Sequence, residues 1–132
     1  MFEIVRFHAN HAPYLYHGPA LQEKGTAWTA LCDDGIVACF GYLVLWNGVA
    51  EVWLYPGPCF LRHLKSVRRA MEDCIQRETR KHGVHRVQAD MLDTPLFARW
   101  AKFIGFEYEA TFKRYSATGA DMKRYVRFME NT

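Results

Sequence analysis

Two tight-turn dipeptides constrain the fold of this chain more than any other feature of its sequence. Asp34-Gly35 follows the run TAWTALCD, Asn47-Gly48 follows the run IVACFGYLVLW, and a third strand-like run, VAEVWLY, comes directly after them. Asp-Gly and Asn-Gly favour the short turns of antiparallel hairpins, because their residues tolerate positive φ. Residues 26–55 are therefore predicted to form a three-stranded antiparallel meander.

A long amphipathic helix is predicted after the meander, over residues 63–82. Its apolar residues recur on one face at helical spacing: Leu64, Val67, Met71, Cys74 and Ile75. Gly83 follows a basic last turn and supplies the stop signal. A helical crossover joins parallel strands, so strand 50–55 should run parallel to the next strand, 84–92. We expect these two strands to splay apart at their C-terminal ends.

The rest of the sequence predicts a second helix followed by two closing strands. Thr94 is expected to cap this helix, with Pro95 at its first position. Its predicted buried face consists of Leu96, Phe97, Trp100, Ala101 and Ile104, and Gly105 ends it. Together with a first strand at 2–7 and an irregular, partly helical segment at 8–25, this order predicts a single domain, 1–132, of the α+β or mixed α/β class. A central mixed sheet would be flanked by helices.

Composition restricts the kind of protein. The formal net charge is +3, half of the residues are apolar, and no apolar run approaches the roughly 20 residues of a membrane span. The N-terminus lacks the pattern of a signal peptide, so a soluble cytoplasmic protein with no membrane partner is expected. The four cysteines form no CxxC pair. They are interpreted as reduced and mostly buried. Cys59 lies beside the basic helix start, where a thiolate would be favoured, but packing in a loop is the preferred interpretation over a reactive role.

No metal site is predicted. His8, His11 and His17 cluster near the N-terminus, but neither cysteine nor acid accompanies them at ligand spacing. The closing strands interleave bases with aromatics, which is typical of a soluble sheet edge and does not by itself indicate nucleic-acid binding. The sequence leaves open whether the protein forms a homo-oligomer.

The start of the long helix carries an unusual charge pattern. Basic residues crowd its first turns, with no acid before Glu72: Arg62, His63, Lys65, Arg68 and Arg69. Cations are unfavourable at this end of a helix, where free N–H groups already form a positive pole. The same N–H groups bind anions well, and arginine strengthens phosphate binding. The pattern therefore indicates an anionic ligand.

The element order, with the segments GVAEVWLYPGP, HRVQADML and FIGFEYEA, resembles the GNAT superfamily of N-acetyltransferases over nearly the whole chain. It also looks like small acetyltransferase-like proteins of tailed phages and prophages. The resemblance implies acetyl-CoA as co-substrate and an amine acceptor that attacks the thioester directly. It implies that the loop and helix start after the fourth strand hold the pyrophosphate of the cofactor.

Carried over by position, the resemblance implies a cofactor site made of Trp53, Leu54, Tyr55, Arg62, His63, Lys65, Ser66, Val67 and Arg68. The family motif Gln/Arg-x-x-Gly-x-Gly/Ala aligns with His63, Ser66 and Arg68, so both of its glycines are replaced. Glu51, in the fourth strand, matches the place where many of these enzymes hold a general base that acts through water.

The catalytic pattern departs from the family in one further respect. The usual tyrosine and asparagine of the last helix align with Ala101 and Thr94. Tyr55 and Tyr108 are other phenols, and the proton donor to the CoA thiolate stays open. An alternative therefore stands beside the enzyme: a catalytically inactive GNAT-fold phage protein with a structural or host-interaction role, placed in the host cytoplasm or the virion.

Overall fold

The computed structural model describes residues 1–8 and 25–130, and these form one seven-stranded sheet in the order β1-β2-β3-β4-β5-β7-β6. The strands are β1 (Phe2–Arg6), β2 (Thr26–Cys32), β3 (Gly35–Trp46), β4 (Val49–Pro56), β5 (Arg86–Leu92), β6 (Glu107–Phe112) and β7 (Met122–Phe128). The helices are α1 (Leu64–His82) and α2 (Pro95–Phe103), and a short 3-10 helix, Phe60–Arg62, precedes α1. The mixed sheet flanked by helices confirms the predicted fold class. The predicted helical pieces between 8 and 25 lie largely outside the described residues.

The antiparallel meander is confirmed, because β2 pairs with β3 and β3 with β4 in antiparallel register. Gly35 and Gly48 take φ values of 122° and 83° in the two turns. At Gly48 a side chain is excluded by packing as well, since a Cβ there would lie 2.4 Å from Nε2 of His85. The carbonyl of Gly48 accepts hydrogen bonds from the N–H groups of His85 and Arg86, which brings β5 alongside β4.

The parallel pairing of β4 with β5 is also confirmed, and it is short. Val49, Ala50 and Glu51 of β4 pair with Arg86, Val87 and Gln88 of β5, and the ladder then ends. β4 continues to Pro56 and β5 to Leu92 without further pairing between them. The two strands therefore diverge at their C-terminal ends, as expected.

The main core lies between the sheet and the two helices. α1 buries the side chains of Val67, Met71, Cys74 and Ile75. On α2 the predicted buried face is confirmed for Trp100, Ala101 and Ile104. The Thr94 hydroxyl accepts a hydrogen bond from the N–H of Phe97 at 3.2 Å, which confirms the predicted cap.

Leu96 is an exception to the predicted face, since it is 39% exposed. Each residue advances about 100° around a helix, so Leu96 lies a quarter turn or more from the centre of the stripe that Phe97, Ala101 and Ile104 form.

None of the helices in the described part of the chain is long and apolar enough to cross a membrane.

We expect Trp100→Ala to lower the free energy of unfolding by about 3–5 kcal/mol, because the lost side chain leaves a cavity in the core. Trp100 is 4% exposed and packs edge-to-face against Phe60, with 5.1 Å between the ring centroids. Trp46→Ala is the matched control, since Trp46 is 63% exposed, and it should cost less than about 1 kcal/mol. Denaturant unfolding of both variants measures the difference. A Trp100→Ala cost as small as that of the control would contradict the packing.

Candidate functional site

A cavity of about 210 Å³ opens where β4 and β5 diverge. Most of the residues that line it are apolar, and they come from both strands, both helices and β7: Val52, Trp53, Leu54, Tyr55, Pro56, Met71, Ala89, Asp90, Met91, Leu92, Phe97, Trp100, Ile104 and Met122. Among these lining residues Asp90 supplies the one carboxylate and Tyr55 the one hydroxyl. The cavity therefore suits a mostly apolar ligand segment that carries a few polar groups.

The free edge of β4 supplies backbone groups to this cleft. Because the Gly48 carbonyl accepts from Arg86, strand alternation directs the backbone groups of even-numbered β4 residues towards β5. The pairing with β5 ends at Glu51, so the N–H and C=O of Leu54 face the cleft beyond the ladder. The next even position is Pro56, which has no N–H. Leu54 thus places one backbone donor beside the cavity, within the predicted stretch Trp53–Tyr55.

The sheet face opposite α1 and α2 carries the polar side of the site. Ala50, Val52 and Leu54 belong to the helix-side core, so alternation directs Glu51, Trp53 and Tyr55 to the other face. The same alternation in β5, where Val87 and Ala89 are in the core, sends Gln88 and Asp90 to the face of Glu51. Carboxylates from two neighbouring strands thus meet on one face, beside the divergence of β4 and β5.

A glycine allows the Trp53 indole to lie against this face. A Cβ at Gly41, the β3 residue paired with Trp53, would lie 2.5 Å from the indole ring. The Trp53 ring contacts Phe7 edge-on and Tyr55 at a tilt, with centroid distances of 5.9 and 5.6 Å. These rings form an aromatic floor next to Glu51. Sequence patterns alone do not reveal Gly41 as part of the site, because its role depends on strand register.

The surroundings of Glu51 on this face favour its protonated, neutral form, compared with a glutamate in water. Burial raises the pKa of Glu51, and the Asp90 carboxylate raises that pKa further, while Arg124 and a hydrogen bond with Gln88 oppose the rise. Arg124 binds both oxygens of Asp90, through Nε at 2.8 Å and Nη2 at 2.9 Å. Burial, and secondarily Glu51, also raises the pKa of Tyr55. The site therefore holds a carboxyl group of raised pKa beside a phenol that stays protonated at neutral pH.

The start of α1 presents backbone donors that have no acceptor within the helix. His63 occupies the N-cap position without a side-chain cap bond, and the first turn contains no acid. The Val67 N–H donates to the His63 carbonyl at 3.0 Å. The N–H groups of Leu64, Lys65 and Ser66 precede this bond and have no partner within the helix. These three donors form the anion-binding geometry of an uncapped helix N-terminus.

The predicted cations lie around this helix start, and some of them already make contacts. Arg62 is 3.1 Å from Asp34, and the Arg68 guanidinium lies 4.8 Å from the centroid of Phe103. Lys65 is exposed and Ser66 is half-buried. Val67, in contrast, is fully buried in the core. The predicted cofactor residues thus fall into two groups, one at the cleft edge of β4 and one at the start of α1.

The residues at the family's tyrosine and asparagine positions have structural roles here. Ala101 is fully buried, and Thr94 caps α2. Tyr108 lies on β6, is 55% exposed and hydrogen-bonds Thr111 at 2.7 Å. Tyr55 is therefore the tyrosine among the residues that line the cavity.

Two features of the described residues escaped the sequence patterns. The indole N–H of Trp100, which lines the cavity, is a buried donor without a protein partner in the described part of the chain. Cys32, Asp34 and Cys59 bring their ligand atoms within 4.8 Å of one another, although their sequence spacing matches no metal motif. His11 and His17 lie outside the described residues, so the expected cluster of His8, His11 and His17 stays a prediction.

Solved structures with the same fold include acetyltransferases from several bacteria. The ribosomal-protein-S18-alanine N-acetyltransferase from Escherichia coli matches with a TM-score of 0.72 and 16% identity, covering 100% of this chain and 96% of that chain. The IAA acetyltransferase from Bacillus cereus ATCC 14579 matches with a TM-score of 0.74 and 12% identity, covering 98% and 100%. A GNAT family acetyltransferase from Elizabethkingia anophelis, with acetyl-CoA bound, matches with a TM-score of 0.72 and 10% identity, covering 97% and 98%.

No protein-family model matches the sequence, and no curated protein matches it. At identities this low, the similarity establishes a shared fold and not a shared activity. The activity of this chain therefore has to be argued from its own residues. The predicted resemblance is confirmed at the level of structure: the chain has the fold of the GNAT N-acetyltransferases.

Proposed function

We propose that the protein is an N-acetyltransferase that uses acetyl-CoA and acetylates an amine by direct attack on the thioester. The observation that carries the proposal is the cleft between β4 and β5, where an apolar cavity borders an unpaired backbone edge. The uncapped, cation-rich start of α1 supports the same ligand. Solved structures of the same fold include one in complex with coenzyme A and one with acetyl-CoA bound.

The residues of this chain fit such a cofactor. The apolar lining would hold the pantetheine arm, and the Leu54 N–H would donate to the thioester carbonyl and stabilise the negative charge that develops on its oxygen. The pyrophosphate would take the N–H groups of Leu64, Lys65 and Ser66. Ser66 and Arg68 replace the glycines of the family motif, so phosphate binding would rely more on side chains than on close backbone approach.

The present contact of Arg62 does not prevent such binding. The Arg62–Asp34 pair is largely exposed on both sides, and exposed pairs contribute about 0–1 kcal/mol. A hydrogen bond to a charged phosphate oxygen contributes about 1.5–3 kcal/mol. Arg62 would therefore exchange its surface pair for the ligand.

Two groups on the polar face would move protons. As the amine nitrogen forms its bond to the acetyl carbon, Glu51 accepts the ammonium proton, through water. As the carbon–sulfur bond breaks, Tyr55 donates its phenolic proton to the departing thiolate. The raised pKa values of both groups suit these roles, because Glu51 becomes a stronger base and Tyr55 remains protonated until it is needed.

Glu51→Gln should lower the acetylation rate by about 10²–10⁴-fold and leave CoA binding intact. Glu51 must be deprotonated to act, so the wild-type rate should rise with pH through its pKa, which burial and Asp90 hold above the usual value. The variant should lose that limb of the pH–rate profile. Glu107→Gln, an exposed change on β6, is the control. An unchanged pH–rate profile in Glu51→Gln would remove Glu51 from the mechanism.

Calorimetric titration with CoA tests the cofactor site directly. Arg68→Glu should weaken binding more than Arg80→Glu, because Arg80 lies in the last turn of the same helix, far from the proposed phosphates. Binding should weaken with salt, since screening reduces the phosphate attraction. At a CoA concentration of about 100 Kd, the native state should gain about 2.7 kcal/mol of stability.

The absence of binding by the wild-type protein at millimolar CoA would overturn the proposed function. The non-enzymatic alternative, a GNAT-fold protein with a structural or host-interaction role such as a phage component, would then be favoured. Equal loss in the Arg68 and Arg80 variants would instead place the phosphates away from the start of α1.

A further inference from the structure

We propose that Cys32 and Cys59 form a reversible intramolecular disulfide that joins the end of β2 to the loop before α1. Their sulfur atoms lie within 4.8 Å of each other, with an oxygen of Asp34 inside the same limit. Both cysteines are free thiols in this structure. A disulfide requires a sulfur–sulfur distance of about 2.05 Å, so side-chain rotation has to close the remaining gap.

Arg62 gives this pair the chemistry that exchange needs. Its Nη2 lies 3.5 Å from the Cys59 sulfur and its Nη1 lies 3.1 Å from Asp34. A guanidinium next to a sulfur stabilises the thiolate, which is the nucleophile in thiol–disulfide exchange. Burial and the neighbouring Cys32 raise the pKa of Cys59, and Arg62 opposes this rise. Exchange should therefore be slow at pH 7 and accelerate towards pH 9.

The other two cysteines do not compete for this reaction. Cys39 and Cys74 are 1% and 3% exposed, which is as buried as Cys59 at 2%, but Cys59 lies beside the half-exposed Cys32, through which an oxidant reaches it. Burial raises the pKa of Cys74 to about 12 and also raises that of Cys39. Both thiols stay protonated and out of reach of an oxidant in the folded protein.

A divalent cation would use the same atoms, because two sulfurs and a carboxylate are suitable zinc ligands. The structure favours the disulfide, since Arg62 already contacts Asp34 and Cys59 and thus places a cation beside two of the three ligands. A disulfide consumes only the sulfurs and leaves the Arg62–Asp34 pair in place. A metal ion would need all three groups and would meet the repulsion of the guanidinium.

The oxidant we infer is a low-molecular-weight disulfide, such as oxidised glutathione. The half-exposed Cys32 thiolate attacks one sulfur of this disulfide, forms a mixed disulfide and releases one glutathione thiolate. The Cys59 thiolate then attacks the Cys32 sulfur and releases the second glutathione. Two protein thiols are oxidised, one glutathione disulfide is reduced to two thiols, and two protons pass to the released thiolates.

The bond would fix the segment 57–63, which leads into α1. Where CoA binds as proposed, the bond would also restrain the phosphate-binding helix start, a consequence that rests on the proposed function. The cross-link itself does not depend on CoA, because both sulfurs belong to this chain. It closes a loop that contains β3 and β4, and a loop of this kind restricts the unfolded chain.

The test is incubation of the full chain with oxidised glutathione at pH 7 and pH 9, followed by alkylation and intact-mass and peptide mass spectrometry. We expect a loss of 2 Da on forming one disulfide, a Cys32–Cys59 linked peptide and reversal by dithiothreitol. The oxidised protein should melt on the order of 10 °C higher than the reduced protein. Arg62→Gln should slow the reaction relative to Arg69→Gln, an exposed control on α1.

Cys32→Ser should abolish the linked peptide. Wild-type peptide mapping decides the proposal even where a cysteine variant does not fold. Stable glutathione adducts on both cysteines without a linked peptide would overturn the proposal, as would a link through Cys39 or Cys74. The last part of the test adds cadmium to the reduced protein. A thiolate-to-cadmium absorption band that requires both Cys32 and Cys59, with protection from glutathione, would identify a metal site instead and overturn the disulfide.

Discussion

The parallel contact between β4 and β5 is the constraint on which the rest of the structure depends. It consists of the pairs Val49–Arg86, Ala50–Val87 and Glu51–Gln88, and it joins two antiparallel blocks into a single sheet. Because it ends early, β4 keeps an unpaired edge that would be costly to bury without a partner. The cavity at that edge keeps it accessible to a ligand. The same short ladder thus provides both the continuity of the sheet and the cleft between β4 and β5.

The charges of α1 are placed differently at its two ends. The first turn of α1 has basic residues and no acid, which costs an isolated helix about 0.3–1 kcal/mol for each charge. At the other end of α1 the arrangement is favourable, since the basic last turn precedes Gly83. One helix thus follows the helix dipole at its C-terminus and opposes it at its N-terminus. The bound anion that we propose at the N-terminus would remove this conflict.

The acidic face of the sheet shows a second local conflict. Glu51 and Asp90 come from adjacent strands, and burial there penalises the charged form of Glu51 and raises its pKa. Arg124, from β7, binds Asp90 with two hydrogen bonds and so leaves Glu51 as the group whose pKa rises. Asp90 is thus the acid that is paired with arginine, and Glu51 is the acid whose raised pKa suits the proton-accepting role that we propose.

The sequence by itself determined the features that depend on neighbouring residues: the turns at Gly35 and Gly48, the Thr94 cap, the stop at Gly83 and the crossover that makes β4 and β5 parallel. Local backbone preferences and hydrophobic spacing act over a few residues, so they can be read along the chain. Only the tertiary structure decided that Gly41 lies beneath Trp53, that Arg124 binds Asp90 and that Cys32 lies beside Cys59. These contacts join residues that are distant in sequence, and strand register determines the contacts of Gly41 and Arg124. A shift of one residue in that register would send each side chain to the opposite face of the sheet.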